Sequence, residues 1–184
     1  MRLVPVLRLA PSLAAVLLAG CAAERLKPTP PTVVIPANLA VPAGESLLRT
    51  LWADGVQVYE CRAKPEAGAA PAWVFVAPDA TLKTAAGVLV GHHYAGPTWE
   101  AADGSKVVGA VKAKVDAPDA NAIPWLLLAT HSTGKPGLFA SVTSIQRVAT
   151  AGGAMPAAGC DATTIGKQAR VPYTAQYAQY AATL

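Results

Sequence analysis

The sequence predicts an all-β fold, a single antiparallel β-sandwich or barrel of about eight strands behind a lipidated N-terminal tether. Three observations support this prediction. Short apolar segments recur between turn residues, without the run of intervening helices that a parallel sheet requires. Residues 106–116 alternate between apolar and polar side chains, which is the period of a half-buried strand. Asp103-Gly104, directly before them, is a strong signal for a β-hairpin.

The N-terminus predicts export. Residues 1–20 contain Arg2, Arg8, no acidic residue and a short apolar run, which together are typical of a secretory signal peptide. The run is too short to span a bilayer, which needs about 20 residues. Cys21 ends a Leu-Ala-Gly-Cys sequence that resembles a bacterial lipobox, in which the thiol is lipidated and the chain is cut before it. The alternative is an ordinary signal peptide whose cut falls near a cysteine.

Two segments follow the signal peptide. Residues 21–43 are predicted to be a lipidated, proline-rich tether, because Pro28, Pro30 and Pro31 favour extended polyproline geometry over a helix or a central strand. Residues 44–184 are predicted to form a single β-rich domain. The mature chain is long enough to bury one well-packed core.

The first strands follow from apolar runs and turn signals. Residues 45–53 fit either a short helix, because their apolar side chains have helical spacing, or a first strand. Asp54-Gly55 is predicted to be a turn, followed by a strand at 56–62. The continuous apolar run at 72–77 predicts a short strand that is buried on both faces.

The later strands are predicted in the same way. The apolar run at 123–130 predicts a core strand that tolerates Pro124 near its start. Residues 138–149 predict a strand that Gly152-Gly153 ends, and residues 171–180 fit a last strand or one turn of helix. The other predicted strands are 88–94, 98–101 and 106–116, the last with one face made of Val107, Gly109, Val111, Ala113 and Val115.

Charge and cysteine content restrict the classes of function. The net charge of +4 falls to +2 once the two signal-peptide arginines are removed, and no segment concentrates lysine and arginine. A nucleic-acid partner is therefore not expected. With Cys21 lipidated, Cys61 and Cys160 remain, and two thiols in an oxidising compartment are expected to form a disulfide. A metal site or a reactive thiol is the weaker alternative, since the chain has no C-x-x-C pair.

The stretch 91–105 holds the densest cluster of functional side chains. If 88–94 and 98–101 are neighbouring strands, His93 faces either Glu100 or Trp99 across the turn. The predicted ligand-binding residues are His93 and Glu100 as polar contacts and Tyr94 and Trp99 as apolar walls.

Other interpretations of the same cluster stay open. A metal site would use His93, Glu100 and Asp103, an acid–base pair would use His93 with Glu100, and a sugar groove would use Tyr94 and Trp99 as platforms. Alternatively the aromatic residues are core packing and Asp103 is a turn residue. No catalytic residue, metal or cofactor is assigned, because the chain has no nucleophile elbow, Walker loop, dinucleotide fingerprint or zincin helix.

Motifs along most of the chain carry a family resemblance. They are Ile35-Pro36-Ala37-Asn38-Leu39, Gly55-Val56-Gln57-Val58-Tyr59-Glu60-Cys61, His93-Tyr94-Ala95-Gly96-Pro97-Thr98-Trp99-Glu100, Asp103-Gly104-Ser105, Ile123-Pro124-Trp125-Leu126-Leu127-Leu128, Thr143-Ser144-Ile145-Gln146-Arg147-Val148, Gly159-Cys160-Asp161 and Val171-Pro172-Tyr173-Thr174-Ala175. Together they resemble the exported family catalogued as Domain of Unknown Function 3455. The resemblance implies an exported domain with Cys61 and Cys160 in recurrent positions, and it implies no activity. Some fungal relatives carry a malate dehydrogenase label, which this chain does not support, because it lacks a Rossmann glycine fingerprint and βαβ alternation.

A fainter likeness is to small periplasmic lipoproteins that inhibit lysozyme. It rests on Tyr59-Glu60-Cys61 and on the Gly91–Tyr94 turn, and it implies a loop at 94–99 that plugs an enzyme cleft.

Taken together, the sequence predicts a lipid-anchored protein of the cell envelope, facing the periplasm or the exterior, whose β domain binds a ligand or a protein. Its expected partners are the membrane, through the anchor, and an envelope protein or a glycan. The enzyme alternative, metal-dependent or hydrolytic, would rest on His93 and Glu100.

Overall fold

The computed structural model describes residues 33–66 and 68–183. It shows eight antiparallel strands that form one closed barrel in simple chain order. The strands are β1 (Glu45–Arg62), β2 (Ala72–Lys83), β3 (Leu89–Tyr94), β4 (Thr98–Ala101), β5 (Lys106–Val115), β6 (Trp125–Ser132), β7 (Ser144–Gly152) and β8 (Gln168–Ala182). The predicted all-β class is confirmed, and of the two predicted architectures the barrel is the one observed.

Closure of the barrel comes from the pairing of the first strand with the last. Leu51 lies opposite Tyr177 and Gly55 lies opposite Tyr173 along this long ladder. The described part of the chain contains a 3₁₀ helix, Ala37–Leu39, before β1, and no α-helix. Within that part, no helix has the length and apolar character needed to cross a membrane.

β1 corrects the predicted turn at Asp54-Gly55. The strand runs through these two residues without a break, and the ambiguous segment before them is strand rather than helix. Asp54 is exposed and forms a 3.9 Å ion pair with Lys83 on β2. A Cβ at Gly55 would lie 2.2 Å from the backbone oxygen of Asp79. The lack of a side chain at Gly55 therefore lets the backbone of β2 approach β1 closely, which is a known reason for glycine within a strand.

β2 corrects a second expectation, that the 72–77 run is buried on both faces. The strand continues to Lys83, and Val74, Phe75 and Val76 are 37%, 48% and 38% exposed. The register shifts by one residue at Val76 of β2, so that Val58 pairs with Ala77 and Tyr59 with Phe75. This exposed apolar surface lies at one end of the barrel, and the site described below begins there.

β5 departs from strict alternation. The ladder to β6 shifts between Val111 and Ala113, so that Lys114 pairs with Leu126. Because a shift of one residue moves a side chain to the other face of a sheet, the predicted single face from Val107 to Val115 is wrong beyond the bulge, and Lys114 turns inward.

The last predicted segments also change. β7 begins at Ser144 rather than at residue 138. Phe139 lies in the loop before the strand, where its side chain is fully buried and plugs one end of the barrel. The 171–180 segment lies within β8 and is strand, not helix. β3 and β4 match the predicted strands closely, and the Asp103-Gly104 hairpin is observed between β4 and β5.

The barrel interior is closed at the end where the β6–β7 loop folds back. Asp103 accepts hydrogen bonds from the Ser105 backbone nitrogen (2.8 Å), the Ser105 hydroxyl (2.5 Å) and the Leu138 backbone nitrogen (2.8 Å). These contacts hold the loop so that Phe139 fills the interior, with the Arg49 guanidinium 5.8 Å from its ring centroid. Asp103 is thus a structural anchor for the closed end as well as a turn residue.

Two further features stabilise the barrel. The predicted disulfide is confirmed: Cys61, near the end of β1, is bonded to Cys160 in the β7–β8 loop. Part of the predicted tether lies against the barrel, since Leu39 is fully buried and its carbonyl oxygen accepts a hydrogen bond from Gln146 Nε2 at 2.6 Å. The signal peptide, Cys21 and the rest of the tether fall outside the described residues, so their lipidation and cleavage stay predictions.

Candidate functional site

The end of the barrel opposite the Phe139 plug contains a cavity of about 610 Å³. It lies inside the strands, beneath the β3–β4 turn and the β5–β6 and β7–β8 loops. Most of its lining is apolar: Phe75, Val76, Pro78, Pro97, Trp99, Val111, Ile123, Pro124, Leu126, Leu128 and Met155. An eight-stranded barrel has an interior wide enough for packed side chains or one small ligand. This barrel combines both, with packing at one end and a cavity at the other.

His93 and Trp99 form one wall of this cavity. They lie opposite each other on β3 and β4, which settles the predicted choice between Glu100 and Trp99 as the cross-strand neighbour of His93. Their rings stack at 4.2 Å between centroids, and the Tyr177 ring meets both edge-on. His93 is 2% exposed, and its Nδ1 donates to the Thr98 carbonyl oxygen at 2.9 Å.

Burial determines the charge state of His93. Desolvation lowers the pKa of its imidazole to about 3, since the Thr98 carbonyl offers only partial compensation and the Arg147 charge also disfavours a proton. Near neutral pH, His93 is therefore a neutral donor within an aromatic wall.

Tyr94 and Glu100 lie on the outer face of the same two strands. The Tyr94 hydroxyl donates to Glu100 Oε2, and this hydrogen bond raises the pKa of Tyr94. Glu100 also lies 3.7 Å from Lys106 Nζ. Asp79 and His92 complete a shallow outer groove beside them. Because neighbouring residues of a strand point to opposite faces, His93 and Glu100 face opposite sides of the sheet and cannot act together on one substrate.

The four predicted ligand-binding residues are thus divided into two pairs. The structure places His93 and Trp99 at the interior cavity, and Tyr94 and Glu100 outside it. Asp103, the third ligand of the alternative metal site, is bonded to Ser105 and Leu138 instead. Within residues 33–66 and 68–183, no group of three or more histidine, cysteine or acidic side chains is arranged to hold a metal ion.

Sequence reasoning missed the polar residues contributed by β1, β7 and β8. Arg147 on β7 is half-buried, points inward opposite Tyr177, and donates from Nε to the Pro124 carbonyl oxygen at 3.0 Å. Gln57 lines the cavity at 2% exposure. The sequence does contain a signal for Arg147. Residues two apart on a strand lie on the same face, so Arg147 shares a face with Ile145, an apolar residue expected to point into the core.

Two buried phenols lie next to this arginine. The Tyr173 and Tyr177 hydroxyls are 3.5 Å apart, and burial raises the pKa of both. The positive charge of Arg147 opposes that rise in each case. Both tyrosines are therefore neutral hydroxyl groups at any physiological pH, and the guanidinium is the charged group of the inner wall.

The β7–β8 loop at the mouth of the cavity is held by covalent and polar contacts. Met155, in the β7–β8 loop, lines the cavity at 50% exposure. The same loop carries Cys160, which is bonded to Cys61, and the Ala158 carbonyl oxygen, which accepts from Trp73 Nε1 at 2.8 Å. The Tyr59 hydroxyl donates to the Gly153 carbonyl oxygen at 2.6 Å. The loop is thus fixed to β1 and β2.

Comparison with known proteins gives one family and no functional assignment. No curated protein and no solved structure matches the chain. A family model described as a protein of unknown function (DUF3455) matches residues 42–181, from just before β1 to the end of β8. This match spans all eight strands, both bonded cysteines and the whole cavity lining. The chain therefore belongs to the DUF3455 family.

Proposed function

We propose that this protein is a lipid-anchored protein of the cell envelope whose barrel binds a small, mainly apolar ligand in its interior cavity. The anchor rests on the signal peptide and the lipobox that ends at Cys21. The Cys61–Cys160 disulfide supports an oxidising location outside the cytoplasm. An envelope protein or a glycan as partner stays a prediction.

The cavity itself is the observation that carries the binding function. Its volume of about 610 Å³ falls within the range of about 300–1,000 Å³ for small-molecule sites. Its lining is mainly apolar with a few polar groups, which is the usual composition of such sites. Native cores leave few voids larger than a water molecule. A cavity of this size next to a core that is fully packed around Phe139 therefore indicates binding rather than poor packing.

The rim of the cavity supports the same function. Phe75, Val76, Val111 and Met155 are exposed large apolar side chains, and all four line the opening. Exposed apolar groups that cluster in one place commonly mark interaction sites. An apolar ligand that enters here removes this surface from water, and each Å² of apolar surface so buried contributes about 25 cal/mol.

The test uses the mature chain, residues 21–184, with Cys21→Ser so that no lipid or detergent is present. The probe is the neutral dye N-phenyl-1-naphthylamine, whose fluorescence rises in apolar surroundings. We expect saturable binding of one dye per protein. Val111→Trp places a bulky side chain in the cavity mouth and should weaken binding. Val74→Trp, at an exposed valine that does not line the cavity, is the matched control and should bind as the parent chain does.

The proposal fails if the parent chain does not bind the dye. It also fails if Val111→Trp and Val74→Trp bind the dye equally well while both keep the circular dichroism spectrum of the parent chain, because the dye would then sit elsewhere.

A further inference from the structure

The charged side chains that line the cavity are all of one sign. They are Arg147 and Lys114, and the lining contains no aspartate or glutamate. Neither cation forms an ion pair with a carboxylate of the described chain.

Arg147 is held in place with its charge uncompensated. Its Nε donates to the Pro124 carbonyl oxygen at 3.0 Å, and its side chain also lies within hydrogen-bonding reach of the neutral Tyr177 hydroxyl. A guanidinium has five N–H donors, so these two uncharged partners leave donors for a further acceptor. A half-buried charge loses part of its hydration, and it is retained in proteins when an opposite charge compensates it.

Lys114 adds a second positive charge at the mouth. The bulge between Val111 and Ala113 turns this side chain toward Leu126 and the opening, whereas strict alternation would have put it outside. Lys112, two residues earlier, is exposed and does not line the cavity.

The lining also contains two buried N–H groups that lack a good acceptor among the described residues. Gln57 Nε2 and Trp99 Nε1 are buried and belong to residues of the lining, and neither makes a well-formed hydrogen bond to a described residue, although Gln57 lies close to the Tyr173 hydroxyl. Gln57 is only 2% exposed and Trp99 only 1%. Buried donors in native proteins nearly always have a partner. Two such groups in the wall of one cavity point to a ligand that brings oxygen acceptors.

We propose, building on the interior-cavity function above, that the ligand is an amphipathic anion: an apolar chain that ends in a carboxylate, with the carboxylate bound by Arg147. The planar guanidinium matches a carboxylate in a two-pronged hydrogen bond. The apolar chain then extends toward the rim of Phe75, Val76 and Met155, and Lys114 attracts the anion to the opening.

The test compares two ligands of equal chain length, dodecanoate and dodecanol, each displacing N-phenyl-1-naphthylamine from the mature Cys21→Ser chain near neutral pH. We expect dodecanoate to bind about tenfold or more tightly than dodecanol, the factor that a charge-assisted hydrogen bond supplies. Arg147→Met, which keeps the length of the side chain without its charge, should remove this preference, so that the ratio of the dodecanoate and dodecanol affinities falls to about one. Arg147→Lys, which keeps the charge, should restore part of it.

Lys114→Met should reduce the rate of dodecanoate association and the effect of salt on that rate, while Lys112→Met, the matched control, should change neither. If the parent chain binds dodecanol as tightly as dodecanoate, or if Arg147→Met keeps the preference, the carboxylate assignment is wrong and the interior-cavity function survives. If the parent chain does not bind the dye at all, the interior-cavity function itself fails.

Discussion

The buried imidazole of His93 makes the barrel sensitive to acid in a way that can be calculated. In the folded protein burial lowers its pKa to about 3, whereas in the unfolded chain the pKa is near 6.5. Because the folded-state pKa is the lower one, His93 contributes full stability above pH 6.5 and loses it as the pH falls toward 3. Each pKa unit corresponds to about 1.4 kcal/mol, so the loss is about 3 kcal/mol at about pH 4.5 and approaches about 5 kcal/mol below pH 3.

The assay is urea unfolding of the mature Cys21→Ser chain over this pH range, beside two variants that do not titrate there. His93→Asn keeps a donor for the Thr98 carbonyl oxygen, and His93→Phe keeps a ring against Trp99. We expect both variants to be less stable than the parent chain at neutral pH and the difference to shrink by about 3 kcal/mol at about pH 4.5. Asp103 and other carboxylates titrate in all three proteins and cancel in the comparison. If the free energy of unfolding of the parent chain and of the two variants changes in parallel with pH, the argument is refuted, because His93 would then bind protons equally in the folded and unfolded states.

Three further predictions concern the closed end, the disulfide and the anchor. Asp103→Ala should lower the melting temperature, because Leu138 and the Phe139 plug lose their anchor; Asp116→Ala, at an exposed residue, should not. Joint replacement of Cys61 and Cys160 by serine should lower the free energy of unfolding by about 4.7 kcal/mol, the chain-entropy value for a loop of this length, and an unchanged urea midpoint would contradict this. Cys21→Ser should release the protein from the membrane fraction, and retention there at the usual level would rule out the lipid anchor.

Local signals in the sequence predicted the β3–β4 pair and the Asp103-Gly104 hairpin well, because a tight turn and its flanking strands depend on few residues. Barrel closure could not be separated from a sandwich, since the β1–β8 pairing joins residues more than a hundred positions apart, such as Leu51 and Tyr177. Asp54-Gly55 has the composition of a turn, but the glycine instead lets β2 approach, and only the neighbouring strand reveals this.

The site was predicted only in part for the same reason, because contacts between residues that are distant in the chain are not visible in the sequence. The sequence left Glu100 and Trp99 as alternatives opposite His93, because one short turn fixes the neighbouring strands but not their register, and the observed register selects Trp99. The sequence also grouped Tyr94 and Glu100 with His93 and Trp99, although both strands alternate between the two faces of the sheet. Arg147 and Gln57 were missed because they meet the cavity from β7 and β1, far from the 91–105 cluster in the chain. The alternating pattern places Lys114 on the solvent face, opposite the face of Val107 to Val115. The one-residue bulge that turns Lys114 toward the cavity cannot be recognised from that pattern.

The most direct test of the central claim is to locate a bound ligand by the indole signals of the protein. The chain has four tryptophans, and Trp99 lies in the cavity wall whereas Trp52 is 37% exposed and does not line the cavity. In ¹H–¹⁵N spectra with assigned indoles, dodecanoate added to the mature Cys21→Ser chain should shift the Trp99 Nε1–H signal until one equivalent is bound and leave that of Trp52 in place. A shift of Trp52 with Trp99 unmoved would place the ligand on the outer surface and contradict binding inside the barrel.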